Sequence, residues 1–493
     1  MDHRLSRNTL KLLPSSVARP AYDRSSIQPG ILHLGVGAFH RAHQAVYVDD
    51  CLAAGETGWG IVGVSLRNAA MRDTLSPQDG LYTVAARGSG GEALRVVGAS
   101  HALLVAPESP QAVLAAMADP RIRIVTLTVT EKAYLRRSGG GIDADHPDIV
   151  HDLANPDAPR TAHGFLVEAL ALRRKAGVPP FTVLSCDNLP ANGATLRRLA
   201  IEFAASRDAG LARHVEDEVA FPSSMVDRIV PATTDEDRAR IAVRLGLRDA
   251  WPVVTEPFSQ WVVEDRFPAG RPDWERFGVT MTTDVGPFEE MKLRLLNGSH
   301  SAIAYLGLLS GHATVAQGFA DAQIRRFIDG LWSEAVPTLS GNADVDPVRY
   351  TAKLGERYAN ATLVHRTAQI ANDGSQKLPQ RIIAPALERL KQRQSARHLM
   401  LVVAAWIAAG EARGAALPAD HFTDPLDDAL REIEARRLPA AATARAVFDR
   451  AGFASADVGR DRLEELVAGH LDILRSHGAA AALAALIGGE KTS

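Results

Sequence analysis

Three residues in one short stretch, Lys292, Asn297 and His300, are of the types that can carry an alcohol through oxidation. Taking a hydride from an alcohol carbon requires a base for the hydroxyl proton and donors that hold the resulting alkoxide. A lysine serves as that base when its surroundings bring its pKa from about 10.4 toward the working pH, and a carboxamide donates hydrogen bonds without adding charge. All three lie in PFEEMKLRLLNGSHS, 287–301, which predicts a helix opening at Pro287, where a missing N–H is not needed, and reaching at least the Asn297-Gly298 pair. At about 100° per residue, Asn297 stands roughly 140° and His300 roughly 80° round from Lys292, so one broad face presents all three. Taken singly, each has an ordinary explanation: a solvated lysine, a turn asparagine beside glycine, one histidine among several. The elements around them have to decide.

Near the start, ILHLGVGAFHRAHQAVYVDDCLAAG reads as a short apolar strand, a tight turn at Gly35 and Gly37, and a helix through Ala42, Val46 and Leu52. Glycines at a strand-to-helix turn let a dinucleotide pyrophosphate approach the backbone, so Gly35 and Gly37, with Ala38 and Phe39 behind them, are the candidate cofactor cradle. His40 stands where the third glycine of that fingerprint belongs. The run from Trp59 to Leu66 reads as the second strand. An acid at its end would select NAD through the ribose hydroxyls, but the chain has Arg67-Asn68-Ala69 there. Arg67 suits a 2′-phosphate, so NADP stays open beside NAD.

Strand patterns at 93–97, 122–130 and 181–190 alternate with helical ones at 107–118 and 161–176, which argues an α/β fold on a mostly parallel sheet. Ligands of such sheets bind beyond the carboxyl ends of the strands, where Thr130-Glu131-Lys132 and Asp187-Asn188 fall. After a further strand-like segment at 251–267 the pattern turns helical, through 301–335, 347–372, 379–412 and 425–486. The expected organisation is a dinucleotide-binding domain over 1–285 and a mainly helical domain over 286–493. Within the helical half, HRTAQIANDGSQKLPQR, 365–381, gathers His365, Arg366, Asp373, Lys377 and Arg381 about an Asp-Gly-Ser turn. It reads as a basic loop suited to a polyhydroxy or carboxylate ligand.

Composition narrows the partners. With 493 residues the chain exceeds what one core holds, and 55 basic against 58 acidic residues leave a net charge of −3, which offers no field for nucleic acid or an anionic membrane surface. Cys51 and Cys186 are too few for a disulfide framework or a thiolate zinc site. No metal is implied, and a reducing, cytoplasmic setting fits. The longest apolar run, Leu399 to Ala409, is too short to span a bilayer. Partners are therefore small molecules, and a monomer or weak oligomer is expected.

Assembled in order, GVGAFHRAHQ, TLTVTEKAY, SCDNLPANG, MVDRIVP, the Glu-Pro-Phe segment at 256–258, EDRFPAGRPDWE and MKLRLLNGSHS resemble the mannitol dehydrogenase family of zinc-independent, polyol-specific long-chain dehydrogenases and reductases. The resemblance covers most of the chain. It implies a Rossmann-type N-terminal domain, a mainly α-helical C-terminal domain and a nicotinamide cofactor in the cleft between them. By position it implies Lys292 as the general acid/base, Asn188 and Asn297 as the amides on the reacting oxygen, and His300 as a substrate contact. Asp227 matches a substrate-site carboxylate, and Glu289 a glutamate that moves the proton out.

Two branches of the family remain open. The segment 365–381, with Gln369 before Asp-Gly-Ser, and TVTEKAY with Lys132 are similar to the fructuronate reductase (mannonate oxidoreductase) branch, whereas GVSLR at 63–67 is closer to the mannitol 2-dehydrogenase branch. A sugar acid carries a carboxylate that calls for cationic partners, and Lys132, Arg366 and Lys377 are the candidates. The expected reaction is reduction of a keto-sugar acid, D-fructuronate to D-mannonate. D-mannitol with D-fructose, or another polyol, is the alternative. A dinucleotide-binding protein without turnover is the alternative of a different class.

Overall fold

The computed structural model describes residues 3–137, 140–341, 343–362, 364–418, 421–455 and 458–489, with side chains to 486. The chain forms two compact units, Met1–Gly286 and Pro287–Ser493.

The first unit is built on five parallel strands in the order β5-β2-β1-β6-β7, where β1 is Pro29–Leu34, β2 Gly60–Ser65, β5 Ser100–Val105, β6 Ile124–Leu127 and β7 Thr182–Ser185. The sheet is covered on both faces, and the period of two shows which residue goes where. Leu32, Leu34, Val62, Val64, Val125, Leu127 and Val183 pack into one core with helices Ala162–Ala176 and Asn192–Ala205. Ile31, Ile61, Ile124 and Leu184 pack into the other, with Tyr47, Trp261 and Trp274.

Two small sheets complete this unit, and here the strand expectations need correction. The run at 93–97 belongs to β4, Gly91–Val97, which pairs antiparallel with β3, Tyr82–Gly88, outside the parallel sheet. The segment at 251–267 is divided between β9, Val253–Thr255, beside β3, and β10, Gln260–Glu264, which lies between β8, Ser224–Asp227, and β11, Thr280–Thr282. A strand pattern marks the strand but not its partner, which here is set by tertiary contacts. The helix expected through 42–52 is also two helices, Ala38–Ala42 and Gln44–Ala53, broken at His43 (φ −125°, ψ −89°), whose Nε2 lies 2.9 Å from the Gln260 carbonyl oxygen.

The second unit is helical. Its centre is Arg397–Ala412, buried without interruption from His398 to Ala409, which packs on Gly298–Leu309 and on the long terminal helix Arg460–Gly489. No helix among the described residues is long and apolar enough to cross a membrane.

Candidate active site

On the first unit, the turn after β1 is held by its own backbone. Gly35 sits at φ +96°, and a Cβ there would collide with the Thr128 carbonyl. That position excludes other residues on two independent grounds, the left-handed backbone and the contact. Gly37 differs: it is extended, and a Cβ built on it finds its nearest neighbour, the Gly35 oxygen, 3.8 Å away. The space over Gly37 is therefore open for a ligand to meet bare backbone. The helix that follows, Ala38–Ala42, has 5 residues, so its dipole is small and the open backbone carries the cradle. His40, in the third glycine's place, lies flat on His33 of β1 with ring centroids 3.5 Å apart. Burial keeps both rings neutral, holding His33 at a pKa of about 3 and His40 well below the usual value.

The loops beyond β6 and β7 are tied together by Asp187. Its carboxylate accepts from the amides of Val129 (3.1 Å) and Thr130 (3.0 Å) and from the Tyr134 hydroxyl (2.9 Å), while burial raises its pKa. Thr130 is held at φ +74°, a strained conformation that such a bond can enforce. Asn188, next along, is exposed at the sheet's carboxyl edge. Asn192 links this loop to β8: its amide nitrogen donates to the oxygens of Asp187 (3.0 Å) and Ser224 (2.7 Å), and its oxygen accepts from Ser224 N–H (2.9 Å). Asp227 closes β8, opposite Gln260 and 6% exposed. Beyond β2, β5 and β6 opens a cavity of about 630 Å³ lined by Arg67, Ala106, Lys132, His151 and Arg160. Lys132 thus shares a cavity with Arg67, on the side where a bound adenosine would lie.

On the second unit, the expected single α-helix is three segments in one rod: Gly286–Met291 is α, Lys292–Asn297 is π, and Gly298–Leu309 is α. The Asn297-Gly298 pair continues the helix rather than ending it. Gly298 N–H reaches back five residues to the Leu293 carbonyl. The wider turn brings residues five apart closer to one another, so Asn297 stands nearer the Lys292 side than the 140° of a regular helix.

Side chains also donate to the carbonyls of the π turn. Trp332 Nε1 donates to Leu295 O (3.1 Å), Ser299 Oγ to Leu295 O (2.5 Å) and Tyr358 OH to Leu296 O (3.2 Å). Arg294, 9% exposed, anchors the turn through Glu290 (2.8 Å), Glu388 (2.7 Å) and the Thr338 carbonyl. Lys292 and His300 are buried, at 8% exposure each, while Asn297 and Glu289 are partly exposed. The His300 pKa is driven well below its usual value by burial first, then by His365, Arg357, Arg381 and Lys292.

The segment 365–381 is not an open loop. It consists of helices Thr367–Ala371 and Gly374–Leu378 about Asp373 (φ +58°), followed by a second π turn, Pro379–Ile383. Pro385 removes one ladder donor and crowds the Arg381 carbonyl four residues back. That carbonyl lies against Gly298, 3.4 Å from where a Cβ would be. Arg366 is exposed at the head of its helix. Lys377 folds onto its own turn, donating to Asn372 O (2.6 Å) with Asp373 3.8 Å away. Arg381, absent from the expected carboxylate readers, reaches the lysine helix. Its Nη1 donates to Ser301 Oγ (3.1 Å) and Asn297 O (3.4 Å). The two prolines around it were the available signal. Asp187 was marked only by its place at a strand end, and Tyr134 and Tyr358 gave no signal, since their roles come from contacts distant in sequence.

Residues 29–276 match the mannitol dehydrogenase Rossmann domain and residues 284–461 the mannitol dehydrogenase C-terminal domain. The chain is 46% identical over 397 residues to D-mannonate oxidoreductase of Escherichia coli (strain K12), covering 79% of this chain and 82% of that one. It is 44% identical over 395 residues to mannitol 2-dehydrogenase of Cereibacter sphaeroides, covering 79% and 83%. Among solved structures, it is similar to the Pseudomonas fluorescens mannitol 2-dehydrogenase ternary complex with NAD and D-mannitol, with a TM-score of 0.86, 36% identity and coverage of 98% and 99%.

Proposed function

Given that the chain belongs to the mannitol dehydrogenase family of oxidoreductases, we propose that it interconverts a keto-sugar acid and its secondary alcohol, preferably D-fructuronate and D-mannonate, with NAD. The observation that carries this reading is a buried lysine at the head of a π turn, followed by an amide and a neutral imidazole among cations. Such a group suits a substrate that develops negative charge on oxygen and brings a carboxylate of its own.

NADH, when bound, supplies the hydride that reaches the carbonyl carbon. Lys292 gives the carbonyl oxygen its proton in reduction and takes it back in oxidation. Asn297 donates a hydrogen bond to that oxygen, where charge builds up in the transition state. His300 contacts a substrate hydroxyl. For Asn188 and Asp227 the roles that the family resemblance implies, an amide for the reacting oxygen and a substrate-site carboxylate, are kept as part of the proposal. Glu289, on the helical turn before Lys292, moves the proton toward solvent. Gly35, Gly37, Ala38 and Phe39 hold the pyrophosphate, which the open backbone at Gly37 fits. Arg67 and Lys132 attend the adenosine end. Lys132 is accordingly proposed for the cofactor rather than for the carboxylate, and Arg366 and Lys377 stay candidates for the substrate carboxylate. The two thiols, free and buried, agree with a reducing cytoplasm.

The second reading is D-mannitol with D-fructose, favoured by the relative and the solved neighbour that carry the name mannitol 2-dehydrogenase. The test is NADH oxidation by purified protein with D-fructuronate and D-fructose in parallel, NADPH serving as control. Faster turnover on fructuronate supports the sugar acid. Faster turnover on fructose replaces it with the polyol, and turnover on neither removes both.

A further inference from the structure

We propose that the cavity beyond β2, β5 and β6 also takes the 2′-phosphate of NADP(H), so that the chain uses both nicotinamide cofactors, with Arg67 as the residue that reads the phosphate. The inference concerns the first unit alone and does not depend on which sugar is reduced.

The two cofactors differ by one phosphate on the adenosine ribose. A carboxylate at the end of the second strand bonds the free hydroxyls and repels that phosphate, and a guanidinium there does the reverse. β2 ends on Ser65, and the chain continues Leu66-Arg67-Asn68-Ala69-Ala70 without an acid. This turn is fixed by its own bonds: Ser65 Oγ donates to the Asn68 carbonyl (2.6 Å), and Ala70 N–H donates to Asn68 Oδ1 (3.1 Å). The polar side chains on either side of Arg67 therefore hold the backbone. Arg67 itself is exposed, and its side chain makes no hydrogen bond or ion pair among the described residues.

The cavity gives an independent observation. Leu66, Ala106 and Pro107 supply an apolar wall for a purine, and Lys132 lines the same space as Arg67. Lys132 is exposed and, like Arg67, has no side-chain hydrogen bond or ion pair among the described residues. The one carboxylate among the lining residues, Asp148, lies 3.8 Å from Arg160 and 4.0 Å from His146, which line the cavity too. Asp73 and Glu108, the acids that follow β2 and β5, are both held by Arg72. Positive charge therefore outweighs negative where the adenosine ribose of a dinucleotide would sit, and a phosphate dianion gains most from that balance. The open backbone at Gly37 fits either cofactor, because the two share the pyrophosphate.

The experiment is titration calorimetry of the purified protein with adenosine 2′,5′-bisphosphate against adenosine 5′-monophosphate, and with NADPH against NADH. The wild type, Arg67→Ala and Arg67→Asp are compared, with melting temperature measured alongside. In the wild type the bisphosphate is expected to bind about tenfold more tightly than the monophosphate, and NADPH within about tenfold of NADH. Arg67→Ala should weaken NADPH about 30-fold more than NADH, and Arg67→Asp about 100-fold more. Added salt should weaken NADPH more than NADH, since the contacts are exposed. A monophosphate bound as tightly as the bisphosphate overturns the proposal, and so does an Arg67→Ala variant that loses both cofactors equally. These readouts contain no sugar, so their failure leaves the functional reading standing, and failure to turn over D-fructuronate and D-fructose leaves this proposal standing.

Discussion

The two glycine-bearing turns of the molecule are shaped by different forces. At Gly35 the main cause is local: a left-handed backbone favours glycine, which a sequence reader recognises, and the contact with the Thr128 carbonyl beyond β6 adds to it. At Gly298 the cause is remote. The π turn before it is held by Trp332, Ser299 and Tyr358, which donate to its carbonyls, and by Arg294, which pins it to Glu388. The cofactor cradle is therefore a backbone device, and the catalytic helix is a tertiary one that borrows its geometry from neighbours.

Substitutions at each turn should separate the two. Gly35→Ala strains the backbone and meets Thr128, and it is expected to lose about 3 kcal/mol of stability, read by denaturant unfolding. Gly37→Ala, with open space around its Cβ, should leave the melting temperature within about 2 °C and weaken NADH binding about tenfold, because the lost volume belongs to the ligand. If both variants destabilise the fold equally, the cradle is only a turn.

A smaller effect tests the remote support. Tyr358→Phe keeps the ring against His300 but removes the hydroxyl bonded to Leu296 O and to Ser299 Oγ (2.8 Å). Stability should fall by about 1 kcal/mol and kcat by about three- to tenfold, with NADH affinity kept. An unchanged kcat would mean that the π turn holds its shape without this bond.

Acid acts on both regions at once. His33, His300, His365 and His470 have pKa values below the ordinary 6.5, chiefly through burial, so the unfolded chain binds more protons than the native one as pH falls. Stability is full above pH 6.5 and is lost progressively as pH drops toward about 4, where His365 and His470 titrate, and about 3, where His33 does. Calorimetry from pH 8 to 4 should show a falling melting temperature below about 6.5. A flat profile would refute neutral burial of these rings.

The same division governs what the sequence disclosed. Four of the parallel strands were readable as short apolar runs rich in β-branched residues, and the strand-turn-helix at Gly35 by its glycines; β5, Ser100–Val105, was not anticipated. The helical second unit was readable from period alone. Sheet membership of β4 and β9 was not, since an antiparallel pairing with β3 and a parallel one beside it are set by contacts that strand patterning does not report. The angular positions of Lys292 and Asn297 were misjudged because a regular helix was assumed, and the cause of the π turn lies in Trp332 and Tyr358. Arg381 was legible only as one cation of the 365–381 segment; that its side chain reaches Ser301 and the Asn297 carbonyl comes from the same remote packing.

The central claim is that the helix of the second unit does the chemistry while the first unit binds the cofactor. Lys292→Ala addresses it most directly, with single-turnover NADH oxidation on the preferred keto sugar and NADH affinity by fluorescence on the same preparation. The account predicts a rate lowered by about a thousandfold or more, with NADH affinity within about twofold of the wild type. A rate reduced less than tenfold, or a loss explained by weaker NADH binding, would contradict it.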